Sequence, residues 1–213
     1  MTSTTRDVGM NINLPTSIRP ATSRDWRQIG DITAEAFSED PFNLWLFGGG
    51  RALRPLFRIM ARDVYLKEGF CHLHGDEAAT MWATHESNLR FPPLSLLQLM
   101  AAQMIHGKKG AMKRGMAAGE ALEKHHPHAP HIYLFTIGTR KAARGKGLGK
   151  AMLAPVLAAA DREGLPVYLE NSNPANHGFY TSFGFEKIGE FSVLNESPPM
   201  APMWREPSVA GRF

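Results

Sequence analysis

A single cysteine, Cys71, stands among 213 residues, so no internal disulfide can form and a reducing, cytoplasmic setting is expected. Long hydrophobic runs are absent. The most apolar stretches, 94–105 and 151–160, fall well short of the ~20 residues that cross a bilayer, and the first contains two Gln. The first fifteen residues are rich in Thr and Asn and lack a basic segment followed by an apolar one, so nothing there predicts secretion. Charge of one sign is scarce as well: 24 Lys and Arg against 20 Asp and Glu leave +4. That excess suits an acidic small-molecule partner and is too small to announce nucleic acid; no membrane partner is expected either. Repeats and low-complexity linkers are missing, which argues for one domain. Four Trp, four Tyr and twelve Phe, spread among aliphatics, exclude a wholly disordered chain.

Residues 1–16 read as a mobile tail, 17–207 as one domain and 208–213 as a C-terminal tail. Pro20 marks 17–21 as an edge strand, because it cannot donate to a ladder. Trp26, Ile29, Ile32, Ala36 and Phe37 recur at helical spacing, and so do Leu53, Leu56, Phe57, Met60 and Val64 after the Gly48-Gly49-Gly50 break. Residues 70–74 and 78–85 read as a hairpin across Gly75-Asp76. Pro92-Pro93 opens a helical insertion, 91–130, with helices over 94–105 and 111–124 and an irregular His/Pro segment, 125–130. A strand over 131–137, a helix over 147–163 and a strand over 166–170 follow. Asn173-Pro174 then caps a further helix, and strands over 185–193 and 200–204 end the chain. The order predicts a mixed α/β domain (an α+β mixed sheet) whose central crossover is parallel.

The stretch from Phe135 to Lys150 is the most informative. A strand ends, a basic loop follows, and Gly145, Gly147 and Gly149 lead into a helix. Glycines let a backbone approach a ligand closely, and the free amides of a helix start attract phosphate oxygens, with Arg144, Lys146 and Lys150 adding charge. The plainer alternative is a solvated turn, and spacing alone does not choose between them. The dinucleotide fingerprint fails because the third Gly comes one residue early, and neither Gly138 nor Gly145 starts a P-loop.

What fits is [QR]-x-x-G-x-[GA], realised as Arg144-x-x-Gly147-x-Gly149. With Ser17–Thr22 at the start, Ala36–Pro41 after the first helix and Asn176-x-x-Phe179-Tyr180-x-x-Phe183-Gly184-Phe185 near the end, the chain resembles the GNAT superfamily of acyl-CoA-dependent N-acetyltransferases. Within it, Trp82–Ser87, Gly145–Gly149, Leu169-Glu170 and Phe179-Tyr180 are most similar to puromycin N-acetyltransferase and its relatives. The resemblance implies a GNAT fold that binds acetyl-CoA. The amides of Ile137, Gly138 and Thr139 would face the thioester and pantetheine arm, where the fourth and fifth strands splay. Arg144, Gly145, Lys146, Gly147, Leu148, Gly149 and Lys150 would clasp the diphosphate, and Asn176 would bond the arm.

The reaction so implied has to remove a proton from an ammonium and return one to a departing thiolate. Tyr180 is the candidate acid, against the alternative of a plain aromatic core with Phe179, Phe183 and Phe185. Glu170 is the candidate base, since strand alternation puts it with Tyr168 and away from Val167 and Leu169; the alternative is an ion-paired strand end. Phe42, Trp45 and Phe47, with Trp82 and the insertion, are expected around the acceptor. His125, His126, His128 and His131 are read as a basic approach to the cleft, with no metal expected. Lys108–Arg114 is read as a solvated helix face. The expected function is acetyl transfer to a primary amine of a small molecule by a monomer or homodimer. The rivals are a protein-amine acetyltransferase and a non-catalytic acyl-CoA sensor.

Overall fold

The computed structural model describes residues 10–208. β1 (Arg19–Pro20), α1 (Trp26–Ala36), α2 (Pro41–Phe47) and α3 (Leu53–Met60) open the chain, and a π turn (Ala61–Tyr65) runs into α4 (Leu66–Glu68). The hairpin β2 (Phe70–His74) and β3 (Ala78–Thr84) comes next, then the insertion helices α5 (Pro93–His106) and α6 (Ala111–His125). β4 (Ile132–Thr139), α7 (Leu148–Glu163) and β5 (Val167–Asn171) form the parallel crossover. α8 (His177–Thr181), β6 (Glu186–Lys187) and β7 (Ala201–Arg205) complete the fold. The seven strands lie in the order β1-β2-β3-β4-β5-β7-β6, and only β4 and β5 run parallel.

Two irregularities of β4 position the site. First, β4 has eight residues but pairs with β5 only at Ile132↔Val167 and Tyr133↔Tyr168. Beyond Tyr133 the two strands part, and the β5-facing edge of β4 is left without a strand partner. Second, the pairing with β3 shifts from Trp82↔Leu134 to Met81↔Thr136, so Phe135 is an extra residue, a bulge that increases local twist. The Phe135 ring stacks on Tyr65, centroids 4.6 Å apart.

The sheet divides the core. On one face α1, α2, α3 and α6 pack with Ile29, Ile32, Phe47, Leu53, Phe57, Tyr133 and Tyr168. On the other, α7 packs Leu153, Val156 and Leu157 against Trp82, Leu134, Val167 and Leu169. At roughly 1.5–3 kcal/mol per large side chain buried, these layers dominate the stability. α7 runs through Pro155, which is only partly buried on the helix's outer side. α2 was not expected from the sequence; it starts at Asp40, whose carboxylate accepts the Asn43 amide at 2.9 Å, with Pro41 at its first position. Residues 10–14 of the expected tail make contacts with the domain. Met10, Ile12 and Leu14 pack against the core on the α7 side, and the Asn11 carbonyl accepts from Arg162, so residues 10–14 are tied down. Residues 1–9 and 209–213 of the expected tails lie outside the described residues.

Candidate active site

Where β4 and β5 part, two cavities meet. A groove of about 670 Å³ runs along the α7 start, lined by Phe37, Thr139, Arg144, Leu148, Lys150 and Phe179 among others. A second, apolar cavity of about 550 Å³ lies behind α5 and α6. Phe37, Ile137 and Asn176 belong to the walls of both, so the two cavities adjoin at the gap in the sheet.

The groove floor is the turn after β4. Gly145 (φ 80°) and Gly147 (φ 76°) are left-handed, which side chains resist, and this turns the backbone so that successive amides point outward. Among the described residues, the amides from Gly145 to Lys150 donate to no protein oxygen; the first amide with a partner is Ala151, at 3.0 Å from the Gly147 carbonyl. Six free amides at the positive end of a sixteen-residue helix make an anion cradle, and a diphosphate fits that donor set. Gly149 has a different reason: a Cβ there would sit 3.2 Å from the Phe179 ring. Gly138 is likewise a packing glycine, since its Cβ would meet Ala36 Cβ at 3.0 Å where α1 crosses β4.

The cationic side chains of this loop do not converge on the cradle. Lys146 pairs with Glu77 (2.8 Å), Lys141 and Arg144 with Glu39 (2.8 and 3.2 Å), and Arg140 with Glu35 (2.7 Å) and Asp76. These cations hold the carboxyls of Glu35, Glu39 and Glu77 below the usual range, through Arg140, Lys141 and Lys146 respectively. Gly138 and Lys146, both expected to face the cofactor, are absent from the groove walls, whereas Ile137, Thr139, Leu148 and Lys150 are in them.

Glu170 and Tyr180 both line the apolar cavity. The Glu170 side chain is 5% exposed. Its Oε2 accepts from the Tyr133 hydroxyl at 2.7 Å, while its buried Oε1 has no hydrogen-bond partner. Tyr65, Tyr133 and Tyr168 surround it, and burial, then the Glu170 charge, pushes all three phenols up. None of them ionises near neutrality, so each keeps its proton. The Tyr180 hydroxyl has no protein hydrogen-bond partner among the described residues; burial, then the Asp40 charge, raises its pKa also. Asp40 itself is fixed from two sides, by Asn43 and by the Ser172 hydroxyl at 2.7 Å.

The sequence reading missed His126 as a neighbour of Glu170. Its Nδ1 lies 3.6 Å from Glu170 Oε1, and its Nε2 lies 3.2 Å from His131 Nε2. His131 Nδ1 is 2.7 Å from the Ala129 carbonyl, so it must carry the hydrogen there. Burial holds His131 below the ordinary histidine range, hence neutral, and its Nε2 accepts from His126 Nε2–H. A neutral His126 would then turn a bare Nδ1 toward a carboxylate oxygen. No local pattern signals this: Pro127 and Pro130 bend the segment so that His126 and His131 meet across the β4 start.

Of the expected acceptor residues, Phe42 and Phe47 line the cavity, with Phe91, Leu99, Met112 and Leu122 from the insertion. Trp45 and Trp82 do not. Trp45 packs on Phe42 with the Arg114 guanidinium over its ring, and Trp82 is fully buried on the α7 side, stacked on Phe70.

Residues 95–185 match the model of the Acetyltransferase (GNAT) family. Over 84 residues the chain is 33% identical to an uncharacterized N-acetyltransferase of Schizosaccharomyces pombe; the match covers 38% of this chain and only 33% of that relative's length. Among solved structures, one described as histone acetyltransferase HPA2 and related acetyltransferase, from Corynebacterium glutamicum, is 27% identical. It covers 92% of this chain and 98% of that one, with a TM-score of 0.66. Arylalkylamine N-acetyltransferase 2 of Aedes aegypti is 14% identical, covering 90% of this chain and 98% of its own, with a TM-score of 0.57. The C-terminal condensation domain of Ebony, solved with beta-alanyl-dopamine, is 12% identical over 91% of this chain and 100% of that one, TM-score 0.59. At their low identities the last two show the fold alone.

Proposed function

We propose that this chain, which has the GNAT fold and carries the GNAT acetyltransferase family match over residues 95–185, moves an acetyl group from acetyl-CoA to the primary amine of a small, largely apolar molecule by direct transfer. One observation carries the reading: the unpartnered Glu170 Oε1 and the unpartnered Tyr180 hydroxyl both border an apolar cavity that shares Phe37, Ile137 and Asn176 with the groove over the amide cradle. The finer resemblance to puromycin N-acetyltransferase relatives, through Leu169-Glu170 and Phe179-Tyr180, supports the same pair.

Bound acetyl-CoA supplies the acetyl thioester. The Gly145–Lys150 amides hold its diphosphate, and the free edge of β4 at Ile137–Thr139 lines the way to the cavity. Glu170 takes the proton from the ammonium as the N–C bond forms. His126, 31% exposed, passes it on to solvent. Tyr180 gives its hydroxyl proton to the sulfur as the C–S bond breaks and regains one from solvent before the next turnover, against the cost that burial and the Asp40 charge place on the phenolate. Apart from Glu170 Oε1, the cavity offers few groups to a charged acceptor, which favours one amine on an apolar body.

The test is thiol release with a panel of arylalkyl and alkyl amines, alongside calorimetry with acetyl-CoA. Turnover is expected on apolar primary amines. Tyr180→Phe and Glu170→Gln should each lower kcat by about 10²–10⁴-fold with acetyl-CoA affinity intact. Wild-type rates in both variants would refute the roles, and binding without turnover on any amine would leave an acyl-CoA sensor. The likeness to a structure described as a histone acetyltransferase favours one rival, a protein amine as acceptor. Faster turnover on lysine peptides than on any free amine would establish it.

A further inference from the structure

The insertion has a second face that the cavity does not use. α5 turns Leu99, Met100 and Gln103 inward to the cavity, yet its opposite side is apolar as well. At 100° per residue, Leu94, Leu97, Ala101, Met104 and Ile105 fall within an arc of about 100°. All five are exposed; Leu94 at 65%, Leu97 at 62%, Met104 at 75% and Ile105 at 73% are among the most exposed large apolar side chains described. A helix apolar all round belongs in a buried place, and nothing among the described residues covers this one.

The charge around this face is of one sign. From residue 87 to 119 there is no Asp or Glu, while Arg90 precedes α5 and Lys108, Lys109, Lys113 and Arg114 follow it. The rest of the chain is close to neutral, with 19 Lys and Arg against 20 Asp and Glu. Among the described residues, Arg90, Lys108, Lys109 and Lys113 are exposed and make no ion pair. Arg140, Lys141, Arg144 and Lys146 at the α7 turn, and Arg58, Arg62 and Arg205, are each tied to a carboxylate, whereas Lys150, Arg24, Arg51 and Lys124 are exposed without one but lie apart in the sequence rather than in one acid-free stretch. Cations that pair with nothing in their own chain suit an anionic partner. Through a two-fold contact with a second copy, the same cations would face one another.

We propose that α5 lies on anionic lipid: Leu94, Leu97, Met104 and Ile105 enter the headgroup boundary, and Arg90, Lys108, Lys109 and Lys113 meet lipid phosphates at the two helix ends. A 14-residue helix is about 21 Å long, enough for an in-plane contact with cations at both ends. No helix among the described residues is long and apolar enough to cross a membrane, and this contact needs none.

The experiment is co-sedimentation of the full chain with vesicles of phosphatidylcholine alone and with about one-third phosphatidylglycerol added. Retention is expected on the anionic vesicles only, weakening as salt is raised. Leu97→Glu with Met104→Glu should abolish it, and each of Lys108→Gln, Lys109→Gln and Lys113→Gln should weaken it by about fivefold. Unchanged acetyl-CoA binding by the variants shows that they fold and keeps this test separate from that of the proposed activity. Failure to partition, equal partition to both vesicles, or retention that survives Leu97→Glu with Met104→Glu would overturn the proposal. So would a dimer in sedimentation that those substitutions split, because a second copy would then cover the face. Tighter binding to poly-glutamate than to vesicles would replace lipid with an acidic polypeptide.

Discussion

The molecule has two basic stretches that look alike in sequence and differ in structure. Around the turn after β4, the cations of Arg140, Lys141, Arg144 and Lys146 each rest on a carboxylate from α1, the loop after it, or the β2–β3 turn. Around α5, Arg90, Lys108, Lys109 and Lys113 make no ion pair among the described residues. In the first stretch the side chains brace a loop and the backbone amides are left to bind. In the second the side chains are left without carboxylate partners, and the lipid contact we propose rests on them. A Lys/Arg count therefore locates neither site; whether acidic partners lie within reach tells them apart.

If the turn acts through its backbone, the largest effect will come from a residue with no charge. Gly147→Val forces a β-branched side chain into a left-handed conformation at a cost of ~1–3 kcal/mol and re-aims the amides that follow. Losing about three charge-assisted hydrogen bonds at ~1.5 kcal/mol each predicts a fall of about 10³-fold in acetyl-CoA affinity by calorimetry. Affinity within about threefold of wild type would show that the amides are not the binding groups.

His72 extends the comparison to a base with neither carboxylate nor solvent. It is buried in β2, its Nδ1 has no partner, and burial lowers its pKa from the usual 6.5 to about 4. Between those values the unfolded chain binds a proton that the folded chain does not. The stability His72 permits is thus complete above pH 6.5 and is lost as pH falls toward 4. At ~1.4 kcal/mol per pKa unit, the loss is about 3 kcal/mol. Urea unfolding from pH 7.5 to 4 should show it, and His72→Phe should flatten that part of the profile. An unchanged slope in the variant would place the acid sensitivity elsewhere.

Much of the fold was legible because its signals are local. Helical spacing, the Gly75-Asp76 turn, and the Gly-rich start of α7 all act within a few residues, and the observed elements follow them. α2 has a readable start in Asp40-Pro41, but its seven residues before the Gly48-Gly49-Gly50 break are too few to show a helical period. Alternation groups Glu170 with Tyr168 and apart from Val167 and Leu169, and the packing divides β5 in the same way. Trp82 lies on the α7 side, away from the cavity; β3 is buried on both faces, so nothing in its pattern distinguishes the two sides. The groups that make Glu170 interesting, Tyr65, Tyr133, Tyr168 and His126, come from four separate segments. Only the β4–β5 register and the bend at Pro127 bring them together.

His126 gives a smaller effect, because it acts through Glu170. His126→Asn removes the proton route while leaving Tyr133 on Oε2, so kcat should fall by about tenfold and KM for the amine should hold. Added imidazole should restore part of the rate. A loss of thermal stability without rescue would mean that the imidazole only fills space between Tyr133, Tyr168 and His131.

The smallest effect sharpens the opening comparison most. Lys146→Gln breaks the pair with Glu77, whose partners are both exposed, and such a pair contributes ~0–1 kcal/mol. If the lysine only braces the loop, acetyl-CoA affinity should fall by no more than about fivefold. Glu77→Gln should then act in the same direction, because it breaks the same brace from the other side. If Lys146 instead reaches the ligand, Glu77→Gln frees a cation for it and affinity should rise. The sign of the Glu77→Gln effect, measured against Lys146→Gln, therefore separates bracing from binding where the size of either effect alone does not.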